Sequence, residues 1–136
     1  MDMYLRVLII DDSSDDAHII ARILRRSGIL ADWLRVDTAE AISGALADER
    51  GWDVVLCDHL MPGIDAARVL YYVHLALPAV PIILVCGRYP SELWHELGSG
   101  VVHRFVSKEQ LPDLPGIIVA TLEARDRVRD PADPRL

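Results

Sequence analysis

The feature that most constrains the fold is a regular alternation between short apolar runs and amphipathic segments along the chain. Runs such as RVLII and WDVVLC are nearly continuous in apolar residues, which is typical of strands buried on both faces of a parallel sheet. Segments with apolar residues at helical spacing lie between the runs, and the connections are short. The sequence therefore predicts an α/β fold, a doubly wound five-stranded parallel sheet covered on both faces by five helices.

The individual elements can be placed from the same pattern. Gly28 is predicted to end the first helix, and Asp37 and Glu40 have capping-box-like spacing at the start of the second. One domain is expected over residues 1–128, followed by a polar, Pro-rich tail over 129–136. The predicted strands cover 6–10, 31–37, 52–57, 80–86 and 101–106, and the predicted helices 13–28, 37–48, 64–77, 90–98 and about 114–128.

Composition and charge argue against several functional classes. The net charge of −7 argues against a nucleic-acid-binding surface, and the longest apolar runs are too short to span a membrane. No secretory signal is recognisable, and two cysteines do not make a disulfide framework, so a cytoplasmic location is expected. Cys57 should pack in the core, and a disulfide with Cys86 is not expected because the two side chains should point in opposed directions.

Chemically useful side chains follow several of the predicted strands. Asp11 and Asp12 follow the first strand, Asp58 follows the third, Cys86 ends the fourth and Lys108 lies just beyond the fifth. Ligands of doubly wound sheets gather at the carboxyl ends of the strands, so these residues should converge on one edge. Three carboxylates in a small volume repel one another and need a cation, and oxygen ligands suit Mg²⁺.

A phosphoryl-transfer chemistry is consistent with this arrangement. An aspartate can act as a nucleophile on phosphorus and form an acyl phosphate. A divalent ion and an ammonium group would neutralise the phosphoryl oxygens from two sides. Lys108 is the only lysine in the chain, which otherwise uses arginine for its basic residues.

Four pieces of sequence together resemble the receiver domain of bacterial response regulators in two-component signalling. The resemblance extends from about Arg6 to about Arg125 and rests on VLIIDD, DHLMPGIDA, PIILVCG and RFVSK, which occur in the family's order. It implies a flavodoxin-like sheet with strand order 2-1-3-4-5. It also implies that Asp58 is the phosphoacceptor, that Lys108 contacts the phosphoryl group and that Phe105 is the aromatic switch residue.

The same resemblance implies a Mg²⁺ site and exposes departures from the family pattern. The implied metal ligands are Asp11 through water, Asp12, Asp58 and the backbone carbonyl of Leu60. Cys86 stands where the family has a serine or threonine that bonds the phosphoryl group and takes part in switching. A thiol is a weaker donor, so weaker coupling is expected.

Two further departures lie around the fifth strand. Glu109 replaces the proline that usually follows the lysine, so a trans or locally altered backbone is expected there. Val101 and Val102 replace the usual Gly-Ala pair before the strand.

The function implied is that of a single-domain response regulator. It would accept a phosphoryl group on Asp58 from a sensor histidine kinase or histidine phosphotransfer protein, with Mg²⁺ as cofactor, and would not be a turnover enzyme. No output domain is recognisable after Arg125, so output through contact with a downstream protein is expected, and homodimerisation is left open. The alternative is a degenerate receiver that acts as a phosphorylation-independent interaction module. Cys86 and Glu109 keep that alternative open.

Overall fold

The computed structural model describes residues 3–58, 61, 63–88 and 91–129, without the side chains of residues 92, 94 and 127–129. Five parallel strands form one sheet in the order β2-β1-β3-β4-β5, which confirms the predicted topology. The strands are β1 (Met3–Ile10), β2 (Ile29–Val36), β3 (Val54–Cys57), β4 (Ile82–Cys86) and β5 (Arg104–Ser107).

The helices flank this sheet and begin at residues that cap them. Ser13 caps the first helix by accepting a hydrogen bond from the Asp16 N–H, and Asp65 caps the third in the same way. Short 3₁₀ turns at Ser91–Leu93 and Lys108–Asp113 precede the last two helices. The helices are α1 (Ser14–Arg26), α2 (Ala39–Leu46), α3 (Ala66–Ala76), α4 (Trp94–Gly98) and α5 (Leu114–Arg129).

The two faces of the sheet bury separate apolar clusters. Alternate residues of β1 divide between them, with Leu8 and Ile10 on one face and Val7 and Ile9 on the other. Helices α2, α3 and α4 lie over the first face, and α1 and α5 over the second. A strand covered on both faces must be apolar throughout, which explains the continuous runs in the sequence.

Several predicted boundaries are wrong by a few residues. The fifth strand begins at Arg104, because the backbone N–H of Val102 bonds to the Glu96 carbonyl in a turn and pairing with β4 starts only at His103. Val101 and Val102 are buried in the apolar cluster that also contains Leu8 and Ile10. Gly100, with φ of 85°, makes the turn after α4 possible.

The second strand and the second helix also differ from the prediction. β2 starts at Ile29, which pairs with Met3, so the strand is longer at its amino end than the pattern indicated. Helix α2 is capped by Thr38, whose hydroxyl accepts a hydrogen bond from the Ala41 N–H at 3.1 Å. Asp37 accepts a hydrogen bond from Arg35 at 3.1 Å and is not the cap.

The backbone after the fifth strand turns at once into a 3₁₀ segment. The Lys108–Glu109 peptide bond is trans, as are all peptide bonds between described residues. The Ser107 hydroxyl accepts a hydrogen bond from the Glu109 N–H at 3.2 Å, so the altered backbone expected here is a capped turn. The tail predicted over 129–136 lies outside the described residues apart from Arg129, with which α5 ends.

Arg6 holds together the amino-terminal edge of the sheet. Its guanidinium donates hydrogen bonds to Asp32 at 2.7 Å, to Asp48 at 3.2 Å and to the Gly51 carbonyl at 2.7 Å. The Arg6 Cζ also lies 4.4 Å from the ring centroid of Trp52, a distance suited to a cation–π contact. None of the described helices is both long enough and apolar enough to cross a membrane.

Candidate functional site

Hydrogen bonds that continue from the sheet hold two aspartates at its carboxyl edge. The Asp11 N–H donates to the Val36 carbonyl at 3.1 Å, and the Asp58 N–H donates to the Ile10 carbonyl at 2.8 Å. Each acid therefore sits one residue beyond its strand with its backbone still tied to the neighbouring strand. Since β1 is the strand between β2 and β3, this fixes Asp11 and Asp58 side by side.

Three carboxylates meet at this edge. Asp11, Asp12 and Asp58 each offer an oxygen within 4.8 Å of the other two. Asp11 is 2% exposed and Asp58 is 6% exposed, while Asp12 is open to solvent. Among the described residues, this is the one group of three or more acidic, histidine or cysteine side chains close enough to share a metal ion.

Burial at this edge perturbs the Asp11 carboxyl. Burial raises its pKa to about 6, the hydrogen bond from the Ser13 N–H opposes that rise, and the charge of Asp58 adds to it. Burial thus disfavours the charged form of the Asp11 carboxyl. A divalent cation bound in the group would favour that charged form.

The donor set fits Mg²⁺ in its chemistry. All the ligand atoms are carboxylate oxygens, and the group combines two buried acids with one that faces water, where a hydrated ion keeps part of its water shell. Asp11, Asp12 and Asp58 would hold the ion. Leu60, whose carbonyl was also predicted as a ligand, lies outside the described residues.

Lys108, which follows β5 at the same carboxyl edge of the sheet, reaches this group. Its Nζ lies 3.4 Å from Oδ2 of Asp58 and 2.6 Å from Oδ2 of Asp16, on α1. Burial lowers the pKa of Lys108, but the hydrogen bond to Asp16 and the charges of Asp58 and Asp11 outweigh it, so the pKa is raised. The lysine is therefore a full positive charge beside the Asp58 carboxylate.

Cys86 and Phe105 lie on the α3–α4 side of the same edge. The Cys86 thiol is buried and donates a hydrogen bond to the Arg88 carbonyl at a sulfur–oxygen distance of 3.4 Å. Phe105 is half-buried and packs against the same apolar cluster as Cys86. The two predicted switch residues thus share one cluster.

The family model for the response regulator receiver domain matches residues 7–119 of the chain. The chain belongs to this family. No protein with a curated description matches it.

Solved structures place the receiver domain among proteins of the same fold. An adenylate cyclase from Rhodopirellula baltica is 19% identical, with a TM-score of 0.77 and 93% of each chain covered. A CheY-like response regulator receiver domain protein from Methanospirillum hungatei JF-1 is 21% identical, with a TM-score of 0.78, and 92% of this chain and 98% of that chain are covered.

NtrX from Brucella abortus is 22% identical over 98% of this chain, with a TM-score of 0.78, but only 30% of that longer chain is covered. At these identities the likeness shows the fold alone.

One residue at the edge of this receiver domain was missed in the sequence. Asp16 makes the shorter of the two ion pairs of Lys108, although 92 positions separate them. In the sequence it is a second acid in the first turn of a helix, which the helix dipole alone explains. Its spacing of four residues from Asp12 is the one signal that places it near the carboxyl edge of β1.

The geometric reason given against a Cys57–Cys86 disulfide is wrong. Cys57 pairs with Leu84, two residues before Cys86, so both thiols point to the same face and join the same cluster. Both are free. An offset of two residues on neighbouring strands separates their Cα atoms by about 8 Å, more than a disulfide spans.

Proposed function

We propose that this receiver domain is a Mg²⁺-dependent phosphorylation switch that accepts a phosphoryl group on Asp58. The observation that carries the proposal is the convergence of three carboxylates and the sole lysine of the chain at one edge of the sheet. The donor would be the phosphohistidine of a sensor histidine kinase or of a histidine phosphotransfer protein.

Asp58 has the environment that a nucleophile on phosphorus needs. Its backbone is fixed by the hydrogen bond to Ile10, and its Oδ2 already faces the Lys108 ammonium. A carboxylate oxygen of Asp58 would form the new bond to phosphorus while the bond from phosphorus to one histidine ring nitrogen breaks. That nitrogen takes the bonding electron pair, and because the other ring nitrogen carries a proton, the histidine leaves as a neutral imidazole.

The remaining residues would neutralise the charge of the phosphoryl group and respond to its presence. Mg²⁺ held by Asp11, Asp12 and Asp58, with Leu60 as a further ligand, would supply positive charge on one side of the phosphoryl oxygens. Lys108 would donate to an oxygen on the other side. Cys86 would have to give up its hydrogen bond to Arg88 to reach the phosphoryl group, and Phe105 would repack beside it.

Output and location follow from the same proposal. The phosphorylated domain would act through contact with a downstream protein, in the cytoplasm, where histidine kinases use ATP. The chain itself would transfer and slowly lose one phosphoryl group and would not turn over a substrate.

Incubation with acetyl phosphate and Mg²⁺, followed by intact-mass measurement, tests the proposal. The expected result is a gain of one phosphoryl group that is absent after Asp58→Asn or in excess EDTA. Asp113→Asn is the matched control, because it removes an exposed acid outside the site and should leave the gain intact.

A second function is favoured by one observation. The Cys86 thiol is satisfied by the Arg88 carbonyl and is a weak donor, so it couples poorly to a phosphoryl group. A receiver of this kind could serve as an interaction module that does not depend on phosphorylation. No mass gain with acetyl phosphate or with a phosphorylated kinase would favour the module over the switch.

A further inference from the structure

Lys108 has two acidic partners, and the closer one is outside the group of three carboxylates. The Nζ lies 2.6 Å from Asp16 and 3.4 Å from Asp58. The side chains of Lys108 and Asp16 are each 31% exposed, so this ion pair is shielded from water on most of its surface. In the resting protein the ammonium is therefore held first by Asp16.

The helix itself does not require this contact. Asp15 and Asp16 both stand in the first turn of α1, where an acid is favourable beside the helix amino terminus. Asp15 is exposed, whereas Asp16 turns toward the pocket and also raises the pKa of Asp11 and of Lys108. Asp16 thus adds a fourth negative charge to the site.

We propose that Asp16 is a positioning residue that holds the Lys108 ammonium and competes for it with a phosphoryl group on Asp58. This inference rests on the proposed function. When the phosphoryl group arrives, Lys108 must share its donors between two anions or leave Asp16. The charge of Asp16 also repels the phosphoryl group, and the same charge attracts Mg²⁺.

Removal of this charge should therefore have two effects of opposite sign. In Asp16→Asn, Lys108 is released to the pocket, so beryllofluoride at saturating Mg²⁺ should bind about two- to fivefold more tightly. Mg²⁺ alone should bind about two- to fivefold more weakly, because one negative charge beside the site is gone. A purely structural role for Asp16 would weaken both ligands together.

Both affinities can be measured from backbone amide shifts in NMR titrations of the full chain. Asp15→Asn is the matched control, because it removes the same charge from the same helical turn at an exposed position, and its two affinities should stay near those of the unmodified protein. In a Lys108→Met background, the gain in beryllofluoride affinity from Asp16→Asn should become smaller, because only the relief of repulsion between Asp16 and the bound anion remains.

The outcomes separate this inference from the proposed function. Changes of opposite sign in the beryllofluoride and Mg²⁺ affinities of Asp16→Asn, larger than those of Asp15→Asn, support the inference. Equal changes in affinity in the two variants, or weaker binding of both ligands in Asp16→Asn, would overturn it. A failure of the unmodified protein to bind beryllofluoride at any Mg²⁺ concentration would overturn the proposed function, and this inference with it.

Discussion

The replacement Asp11→Asn should stabilise the protein at neutral pH in the absence of metal. Asp11 is almost fully buried, and burial together with the charge of Asp58 raises its pKa from 3.8 to about 6. Above that pH the folded protein must carry an unfavourable buried charge. Asparagine removes the charge, and its side-chain oxygen can still accept the hydrogen bond that Ser13 donates at 2.8 Å.

The size of the effect follows from the pKa. An increase from 3.8 to about 6 corresponds to about 3 kcal/mol of free energy of unfolding. Because the pKa is higher in the folded state than in the unfolded chain, this contribution favours folding below pH 3.8 and is lost as the pH rises through about 6. Asp11→Asn should be more stable than the unmodified protein by up to about 3 kcal/mol at pH 7, and by less than about 1 kcal/mol at pH 4.

Urea unfolding of both proteins in EDTA, at several pH values between 4 and 7.5, measures this difference. The comparison isolates Asp11, because acids with lowered pKa values, such as Asp48, contribute equally to both proteins. A difference in free energy that stays constant across this pH range would refute the reasoning. A less stable Asp11→Asn protein at pH 7 would do so as well.

Three further substitutions test other parts of the account. Cys86→Thr, which supplies a stronger donor, should enlarge the amide shifts that beryllofluoride causes at Gly87 and Arg88 in NMR spectra. Lys108→Met should slow phosphorylation by acetyl phosphate at least about tenfold, measured by intact mass, because one donor to the phosphoryl oxygens is lost. Arg6→Lys should lower the free energy of unfolding by about 1–2 kcal/mol in urea, since lysine cannot reproduce the forked hydrogen bonds and the contact with Trp52.

Each of these predictions has a clear contrary result. For Cys86→Thr, amide shifts equal to those of the unmodified protein would show that the weak donor strength of the thiol does not limit the response. Cys86→Ala should give smaller amide shifts than the unmodified protein. An unchanged phosphorylation rate in Lys108→Met would show that Lys108 takes no part in phosphoryl transfer. A free energy of unfolding in Arg6→Lys equal to that of the unmodified protein would show that the forked hydrogen bonds and the contact with Trp52 add nothing to stability.

The topology could be predicted because burial on both faces leaves a direct mark on the sequence. Runs such as IILVC in β4 have no polar residue, and only a central strand of a parallel sheet needs that. The position of the acids follows from the same rule, since Asp11 and Asp58 directly follow neighbouring strands, and the structure brings their carboxylates close together. The roles of these acids in metal binding and phosphoryl transfer stay predictions.

The features that were missed depend on tertiary geometry. The contact between Asp16 and Lys108 depends on how α1 is oriented about its axis and on the conformation of the lysine side chain. Neither feature produces a periodic pattern in the sequence. The shared face of Cys57 and Cys86 depends on the register of β3 against β4, in which Cys57 pairs with Leu84. A shift of one residue in that register would have placed the two cysteines on opposite faces of the sheet.

A crystal structure of the protein with Mg²⁺ and beryllofluoride would test the central claim most directly. We expect a beryllium bonded to an Asp58 oxygen, a magnesium ion bound through Asp11, Asp12 and Asp58, and the Lys108 ammonium in contact with a fluorine. Beryllofluoride bound elsewhere, or an Asp58 carboxylate without either ligand at saturating concentrations of both, would contradict it.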